Sequence, residues 1–354
     1  MKIVVFGLAV SSCWGNGHAT LWRGLARALN ARGVEVVFFE RDQPYYARTR
    51  DLPEPPGMRL HIYDDWDELR PLALAQVRAA DASLVTSYCA DGRLASDLVR
   101  AHARCSCFYD LDTPVTLHAL ERGQPVAYLP ADGLAGFDLV LSYTGGRALQ
   151  ALQERLGAGR VATLYGSVDP EAYLAVDLPP RSERAALSHL GTYSEDRRAA
   201  LYELFLRPAS LLPDREFMLG GAQYPADFPW RSNVSFARHV PALAHPAFYA
   251  SAPLTLNVTR GPMAALGYCP SARFFEAAAC GVPVLSDVWE GIEAFFEPGR
   301  EVLLARTAND VVAAIHRGSE ELARIGQRAR ERVMAEHTAG HRADELIAVL
   351  GSTP

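Results

Sequence analysis

The chain has 354 residues, six cysteines and a formal net charge of −6. Its length exceeds the usual size of one hydrophobic core, so we expect two domains. Because 49% of the residues are hydrophobic and 21% are charged, the composition is that of a globular protein, with no apolar run long enough for a membrane span. Lys and Arg form no basic stripe, so we expect no nucleic-acid partner. The scattered cysteines favour a reduced, cytoplasmic protein.

Short β-rich runs alternate with helical patterns, which predicts parallel sheets with crossover helices. The first helix is predicted from about His18 to Arg32, with Gly33 as its stop signal. The segment QPYYARTRDLPEPPG is too rich in proline and charge for a regular element, so we expect a long loop. Strands of the first half are predicted in KIVVF, EVVFF, RLHIY, ASLVTSY, CSCFYD, DLVLSY and VATLYG.

A proline-rich stretch without a strand pattern predicts a linker between two α/β domains. We expect residues 1–168 to form an N-terminal domain, 169–187 the linker and 188–337 a C-terminal domain. Residues 338–354 are predicted to form a C-terminal helix. Whether this helix crosses back to the N-terminal domain stays open. Two doubly wound, Rossmann-like domains of this kind create a cleft at the carboxyl ends of their strands, where ligands bind. Strands of the second half are predicted in SHLGTY, REFMLGG, NVSFARHV, LTLNVTR, VPVLSD and REVLLAR.

The stretch SSCWGNGHATLWRG follows the first predicted strand. Its GNGHAT could be read as a dinucleotide fingerprint, with Glu40 as the acid that binds the ribose. However, Thr20 stands where the third glycine should be, and the glycines come about nine residues after the strand, so NAD binding is the weaker interpretation. Glycines at a helix start instead bring bare backbone and N–H groups to a ligand. His18 would then point at that ligand; the alternative is a helix cap with Trp14 packed on it.

A second group of candidate residues lies in GYCPSARFFEAAACGVPVLSD. A short helix is predicted to begin at Pro270 or Ser271, with Arg273 in its first turn. The helix dipole, the free N–H groups and the guanidinium all favour an anion such as pyrophosphate. Glu276, one turn deeper in an apolar helix, needs a partner if it is buried, and a ribose diol would suit it. The alternatives are a plain N-cap for Ser271 and a solvated position for Glu276.

At these residues the sequence resembles the GT-B glycosyltransferases, which have two Rossmann-like domains and use nucleotide sugars. FEAAACGVPVLSD is similar to their EAMACGxPVI signature, whose Glu binds the ribose of the nucleotide. NGHAT is similar to their N-terminal glycine–His loop, and LYGSVDPEAY to their hinge. The closest resemblance is to the CgeB-like subgroup, named for a spore maturation protein. It covers nearly the whole chain through SSCWGNGHAT, YDLDTPVTL, LSYTGG, LGTYSEDR, LNVTR and FFEPGREVLL.

The resemblance implies a glycosyltransferase that moves a sugar from a nucleoside-diphosphate sugar to an acceptor hydroxyl or similar nucleophile. The acceptor would be a small molecule, a glycan or a protein. His18 and Asp110 are the predicted catalytic residues, and Trp14 and Asp112 are predicted to bind the acceptor; a purely structural role for the two aspartates is the alternative. The predicted donor-binding residues are Gly15, Gly17, Thr192, Tyr193, Arg260, Ser271, Arg273 and Glu276.

We expect no metal and no other cofactor. The DLD from Asp110 to Asp112 is like the metal-binding DxD of another glycosyltransferase fold, where a metal carries the leaving diphosphate. A GT-B site can use a helix N-terminus and cationic side chains instead.

One departure from the resemblance concerns Tyr268. Many retaining GT-B enzymes carry two glutamates separated by seven residues, of which Glu276 matches the second, but Tyr268 stands at the first position. The donor sugar, the base, the acceptor and the stereochemical outcome therefore stay open. The rival function is a non-catalytic GT-B-like structural or assembly protein that could still bind nucleotide, and an NAD-binding oxidoreductase is a weaker third. The retained His, Arg and Glu favour the enzyme.

Overall fold

The computed structural model describes residues 1–174 and 185–352. It divides into two compact units. Unit 1 combines Met1–Gly166 with Ala339–Pro354, and unit 2 is Ser167–Thr338. The predicted linker at 169–187 lies partly outside the described residues, because 175–184 fall between the two described ranges.

The described residues of unit 1 form a seven-stranded parallel sheet in the order β3-β2-β1-β4-β5-β6-β7. Val4 of the central strand pairs with Val37 on one side and Ser83 on the other, and all three are fully buried. Strands with both faces covered by helices are expected to be largely apolar, as the runs IVVF (residues 3–6) and VVFF (residues 36–39) are. The strands are β1 (Lys2–Gly7), β2 (Glu35–Arg41), β3 (Arg59–Tyr63), β4 (Ala82–Thr86), β5 (Ser106–Asp110), β6 (Leu139–Ser142) and β7 (Val161–Thr163).

The helices of unit 1 start with α1 (Gly17–Asn30), close to the predicted range. Its start is fixed by the Asn16 side chain, which accepts a hydrogen bond from the His18 N–H at 3.1 Å. The prediction that QPYYARTRDLPEPPG holds no regular element is wrong for four residues, because Pro44 can occupy the first position of a short helix, α2 (Pro44–Ala47). The next helices are α3 (Trp66–Ala79), α4 (Gly92–His102), α5 (Thr113–Glu121) and α6 (Arg147–Leu156).

The described residues of unit 2 form a six-stranded parallel sheet in the order β10-β9-β8-β11-β12-β13. Its strands are β8 (Leu187–Leu190), β9 (Phe217–Gly220), β10 (Val234–Ala237), β11 (Thr255–Asn257), β12 (Val284–Ser286) and β13 (Val302–Leu304). Its helices are α7 (Arg198–Leu201), α8 (Arg207–Leu211), α9 (His245–Ala250), α10 (Gly261–Leu266), α11 (Ala272–Ala279), α12 (Ala308–Ile315) and α13 (Ser319–Glu336). A π-helical stretch, Tyr202–Leu206, joins α7 to α8, and 3₁₀ turns occur at Glu195–Arg197, Ala242–Ala244 and Ile292–Ala294.

The last helix, α14 (Ala339–Gly351), belongs to unit 1. Arg32 at the end of α1 holds the Asp344 carboxylate through two hydrogen bonds of 2.6 and 2.7 Å. The Arg342 side chain donates to the carbonyl of Gly166 at 3.2 Å. The chain therefore returns to its first unit after completing the second.

The predicted fold class, two doubly wound parallel α/β units, is confirmed. Because the strands within each sheet are parallel, their carboxyl ends lie along one edge, where α/β proteins hold ligands. Within residues 1–174 and 185–352, no helix is both long enough and apolar enough to cross a membrane. Nor do three or more His, Cys, Asp or Glu side chains in these ranges form a group that could hold a metal ion.

Candidate functional site

The loop between β1 and α1 in unit 1 is held by a buried carboxylate. Glu40 at the end of β2 accepts hydrogen bonds from the backbone N–H groups of Val10 and Ser11 at 2.7 and 2.9 Å. The Ser11 hydroxyl donates to the same carboxylate at 2.5 Å. Glu40 is only 1% exposed. It therefore supports the loop, and the NAD interpretation loses the acid that it assigned to the ribose.

The glycines of this loop differ in what their backbone requires. Gly15 has a φ of +61°, in the left-handed region that glycine adopts at little cost. A Cβ at Gly17 would meet no described atom within 4 Å, so sterics do not demand glycine there. Trp14, beside them, is half-buried, and its N–H donates to the Ser12 hydroxyl at 3.3 Å.

His18 lies in the first turn of α1 and contacts Asp112. Its Nε2 is 3.2 Å from Asp112 Oδ2, and the two side chains are 15% and 19% exposed. The ring of Tyr88 packs edge-on against the imidazole, with the ring centroids 5.7 Å apart. Tyr88 has a φ of +63°, which is a strained conformation for an aromatic residue. Three chain segments thus meet at one imidazole.

Asp110, the other predicted catalytic residue, lies behind this pair. Its carboxylate accepts the backbone N–H of Asp112 at 3.1 Å, and the residue is fully buried. Burial raises the pKa of Asp110 to about 6. The structure therefore brings His18 together with Asp112 and places Asp110 in support of Asp112; a catalytic role for Asp110 stays a prediction.

Three arginines of unit 2 lie near one another: Arg197, Arg260 and Arg273. Arg197 is in the 3₁₀ turn after β8, Arg260 follows β11, and Arg273 is in the first turn of α11. Burial, together with the positive charges of Arg273 and Arg260, lowers the pKa of Arg197 to about 9, so the Arg197 guanidinium is still cationic at neutral pH. Among the described residues, the buried atoms Nε of Arg197 and Nη1 of Arg273 have no hydrogen-bond partner. Buried donors are nearly always paired in native proteins, so these two unpaired donor atoms on cationic side chains indicate a site for an anion.

Other contacts fix these arginines in place. Arg197 Nη1 donates to the carbonyl of Thr192 at 2.8 Å. Arg260 pairs with Asp196 at 3.0 Å, so a ligand would share this guanidinium with a carboxylate. The hydroxyl of Tyr193 bonds Glu195 at 2.6 Å instead of facing the arginines.

The predicted helix start at Ser271 is confirmed, since Ser271 is the N-cap of α11 and Arg273 lies in its first turn. The Ser271 side chain makes no capping bond to any described residue. The free N–H groups of this turn add a positive partial charge beside the Arg273 guanidinium. The site therefore combines two sources of anion attraction.

Glycines follow the ends of β8 and β9, and only the second of them is demanded by the backbone. A Cβ at Gly191 would lie 3.1 Å from His189 Nε2 and 3.5 Å from Arg273 Cζ, so the absent side chain leaves bare backbone beside the guanidinium. A Cβ at Gly221, where φ is +141°, would lie 2.0 Å from the carbonyl oxygen of Gly191. Burial and the charge of Arg273 lower the pKa of His189 to about 3, so this imidazole is neutral.

Glu276, in the middle of α11, is 5% exposed. Its Oε2 accepts a hydrogen bond from the Tyr249 hydroxyl at 2.8 Å and lies 3.8 Å from His245 Nδ1. The same imidazole nitrogen is 2.9 Å from the Tyr173 hydroxyl. Glu276 is therefore buried and has its partners, Tyr249 and His245, within unit 2, as expected for a buried acid.

Tyr268 has a φ of +48°. Its N–H donates to the carbonyl of Glu290 at 2.7 Å. Its ring lies so close to Gly291 that a Cβ there would be 2.4 Å from the ring. The residue that replaces the first glutamate of the resemblance is thus held in a strained conformation.

The sequence did not single out Arg197, whose place in the charged run SEDRR is typical of a solvated helix start. It also missed Tyr224, whose buried hydroxyl has no hydrogen-bond partner in the described ranges. The charges of Arg197 and Arg273 act on this phenol, although burial has the larger effect and raises its pKa. No local pattern could have found these two residues, because their environment comes from segments distant in the chain.

Comparisons with known proteins agree with this architecture. Residues 197–348 match a family model described as glycosyl transferase-like, a range that contains the arginine cluster and Glu276. Sucrose-phosphate synthase from Thermosynechococcus elongatus is similar over 98% of each chain, with 16% identity and a TM-score of 0.73. The chain has the GT-B fold.

Two further GT-B structures were solved with ligands. Anabaena HepE in complex with UDP-glucose has 16% identity and a TM-score of 0.68, over 99% of this chain and 100% of that one. An α-glucosyltransferase in complex with UDP has 11% identity and a TM-score of 0.70, over the same shares. At such identities the likeness is one of fold. No curated protein sequence matches the chain.

Proposed function

We propose that this GT-B protein transfers a sugar from a nucleoside-diphosphate sugar to an acceptor hydroxyl or similar nucleophile, without a metal ion. The observation that carries the proposal is a pair of buried donor atoms that have no partner among the described residues of unit 2. One belongs to Arg197, in the 3₁₀ turn Glu195–Arg197, and the other to Arg273, in the first turn of α11. A diphosphate offers acceptor oxygens and negative charge to both.

The same arginines suit the chemistry of the leaving group. When the bond between the sugar and the diphosphate breaks, negative charge accumulates on the diphosphate. Fixed cations and helix N–H groups stabilise that charge without having to reorganise. Because this unit supplies several cationic groups, a divalent metal is not required for the role.

Glu276 is the proposed contact to the ribose of the nucleotide. Its carboxylate can accept hydrogen bonds from a diol while one oxygen keeps the hydroxyl of Tyr249. Because Gly191 has no side chain, it leaves room beside Arg273 for the diphosphate of the ligand. Thr192 and Ser271 are the proposed contacts on either side of the diphosphate. HepE was solved with UDP-glucose, so UDP-sugars are the first donors to test.

Unit 1 is the proposed source of the acceptor contacts. Its His18 and Asp112 form a polar pair beside the half-buried ring of Tyr88. Trp14, half-buried in the loop before α1, is a further proposed contact. The six free cysteines support a reducing compartment, so we place the protein in the cytoplasm. The CgeB-like assignment and transfer of a hexose are part of this proposal.

Titration calorimetry with UDP, GDP, dTDP and their sugars tests the donor site. We expect one base series to bind, and the matching nucleotide sugar to lose its sugar slowly in water. Binding without release of sugar would favour the non-catalytic rival, which the departure at Tyr268 supports. No binding by any of these nucleotides to the folded protein would contradict the proposal.

A further inference from the structure

We propose that Tyr173 and His245 position the Glu276 carboxylate for the ribose of the nucleotide. They do so by fixing one carboxylate oxygen, which leaves the other oxygen to accept hydrogen bonds from the ribose hydroxyls. The inference rests on the proposed function, in which Glu276 contacts the ribose, and adds two positioning residues to that site. Neither residue was predicted from the sequence to position a ligand. All three residues belong to unit 2, Ser167–Thr338.

Both close contacts of the Glu276 carboxylate involve the same oxygen. The Tyr249 hydroxyl donates to Oε2 at 2.8 Å, and Nδ1 of His245 lies 3.8 Å from Oε2. An ionised carboxylate has about four lone-pair sites on its two oxygens, so one oxygen can be held by the protein while the other binds a ligand. Oε1 is therefore the oxygen that we assign to the ribose diol.

The imidazole of His245 is held at both of its nitrogens. Nε2 lies 3.2 Å from the carbonyl oxygen of Val240, which can only accept, so in the neutral ring Nε2 carries the proton. Nδ1 then has the lone pair and accepts from the Tyr173 hydroxyl at 2.9 Å. The rings of Tyr173 and Tyr249 pack against the imidazole, with centroids 6.1 and 6.2 Å from its own. These contacts fix the orientation of the ring.

Tyr173 supplies the proton that this arrangement needs. The residue is 4% exposed, and its N–H donates to the carbonyl of Asp169 at 3.1 Å, so the backbone that carries the phenol forms a turn. Burial and the negative charge of Glu276 raise the pKa of the Tyr173 phenol well above its ordinary value, so the hydroxyl is a donor at neutral pH. Without that hydroxyl, the lone pair of Nδ1 would face the carboxylate with no proton between two acceptors.

A carboxylate that is held in this way is ordered before the nucleotide binds. A glutamate side chain that is free to rotate loses conformational entropy when a ligand immobilises it, and this loss weakens binding. The benefit of a fixed carboxylate reaches only ligands that contact it. We therefore expect Tyr173 and His245 to matter for nucleotides with ribose hydroxyls and not for nucleotides without them, a difference that purely structural support of α11 would not produce.

Calorimetric titration with UDP and with 2′,3′-dideoxyuridine diphosphate, which lacks both ribose hydroxyls, tests the inference. In Tyr173→Phe we expect the UDP affinity to fall by about three- to tenfold, the usual effect of one lost hydrogen bond, and the affinity for the dideoxy nucleotide to stay the same. His245→Ala should show the same selective loss. His245→Asn, whose amide oxygen can accept from Tyr173, should recover part of it. Tyr202→Phe is the matched control, because Tyr202 is 47% exposed.

Equal losses for both nucleotides in Tyr173→Phe and His245→Ala would overturn the inference, as would unchanged UDP affinity in both folded variants. Equal affinity of the wild type for UDP and the dideoxy nucleotide would also overturn it, since the carboxylate would then bind no ribose hydroxyl. In each case the proposed function stands, because the wild type binds UDP. If GDP binds instead of UDP, the corresponding guanosine pair is used. Binding of dTDP alone overturns the inference only, and binding of no nucleotide overturns both.

Discussion

The hydroxyl of Tyr249 donates a hydrogen bond to the carboxylate of Glu276 across 2.8 Å, and both residues are buried. A carboxylate in an apolar helix is thereby fixed in orientation before a nucleotide arrives. Burial of the Tyr249 phenol next to this carboxylate raises the pKa of the phenol well above its ordinary value, so the hydroxyl is a hydrogen-bond donor at neutral pH.

Glu276→Gln should weaken binding of the free nucleoside diphosphate by about ten- to a hundredfold, because a charge-assisted contact to ribose is worth roughly 1.5–3 kcal/mol. The nucleotide sugar should lose about as much, since the contact is not to the transferred sugar. Tyr249→Phe, which keeps the carboxylate, should weaken binding less. Calorimetric titration measures the affinity of Glu276→Gln for the nucleotide and for the nucleotide sugar, and the affinity of Tyr249→Phe for the nucleotide. Unchanged affinity in Glu276→Gln would make this residue purely structural.

Arg197→Gln should lower the affinity for UDP by roughly tenfold or more and leave the affinity for uridine unchanged, because the lost contact is to the diphosphate. Burial and two neighbouring cations disfavour this charge in the free protein, so the ligand-free variant should be no less stable than the wild type in urea unfolding. Arg198→Gln is the matched control, since its guanidinium pairs with Glu195 on the surface. Equal effects of the two substitutions would argue against a diphosphate at Arg197.

Gly191→Ala should reduce UDP affinity by roughly tenfold or more, because the added Cβ would stand 3.5 Å from the guanidinium carbon of Arg273 and occupy the approach of the ligand. Gly159→Ala is the control, since a Cβ there would have no described atom within 4 Å. Thermal-shift titration with UDP reports both binding and folding. A variant that is folded and binds UDP normally would remove Gly191 from the site.

The raised pKa of the buried Asp110 carboxyl predicts that the free energy of unfolding depends on pH. The pKa of this carboxyl is raised by burial from 3.8 to about 6, so the folded state disfavours the charged form. The stability that the neutral carboxyl allows is fully present below about pH 4 and is lost as the pH rises through 6. The difference in unfolding free energy between Asp110→Asn and the wild type should therefore grow between pH 4 and 7. Its upper limit is on the order of 3 kcal/mol, since each pKa unit corresponds to about 1.4 kcal/mol. Urea unfolding at several pH values measures this difference, and a constant difference would contradict the shift.

The sequence by itself determined the elements and their order. Alternation of apolar runs with helical periodicity is a local property, so the strands from KIVVF to REVLLAR could be placed without tertiary information. The helix start at Ser271, with Arg273 in its first turn, was predictable for the same reason: capping depends on residues within one turn. The resemblance in these motifs then pointed to the GT-B fold that the structure shows.

Tertiary structure decided which distant side chains meet. His18 contacts Asp112, whereas Asp110 at the end of β5 is fully buried and its carboxylate accepts the N–H of Asp112. Glu40 supports a loop, although its position at a strand end suited a ribose. Arg197 is a candidate site residue because the fold brings it into the field of Arg273 and leaves one buried donor atom of each guanidinium without a partner among the described residues. Such contacts depend on how strands are ordered in the sheet and on which donors are left unpaired, and neither is encoded in a local pattern.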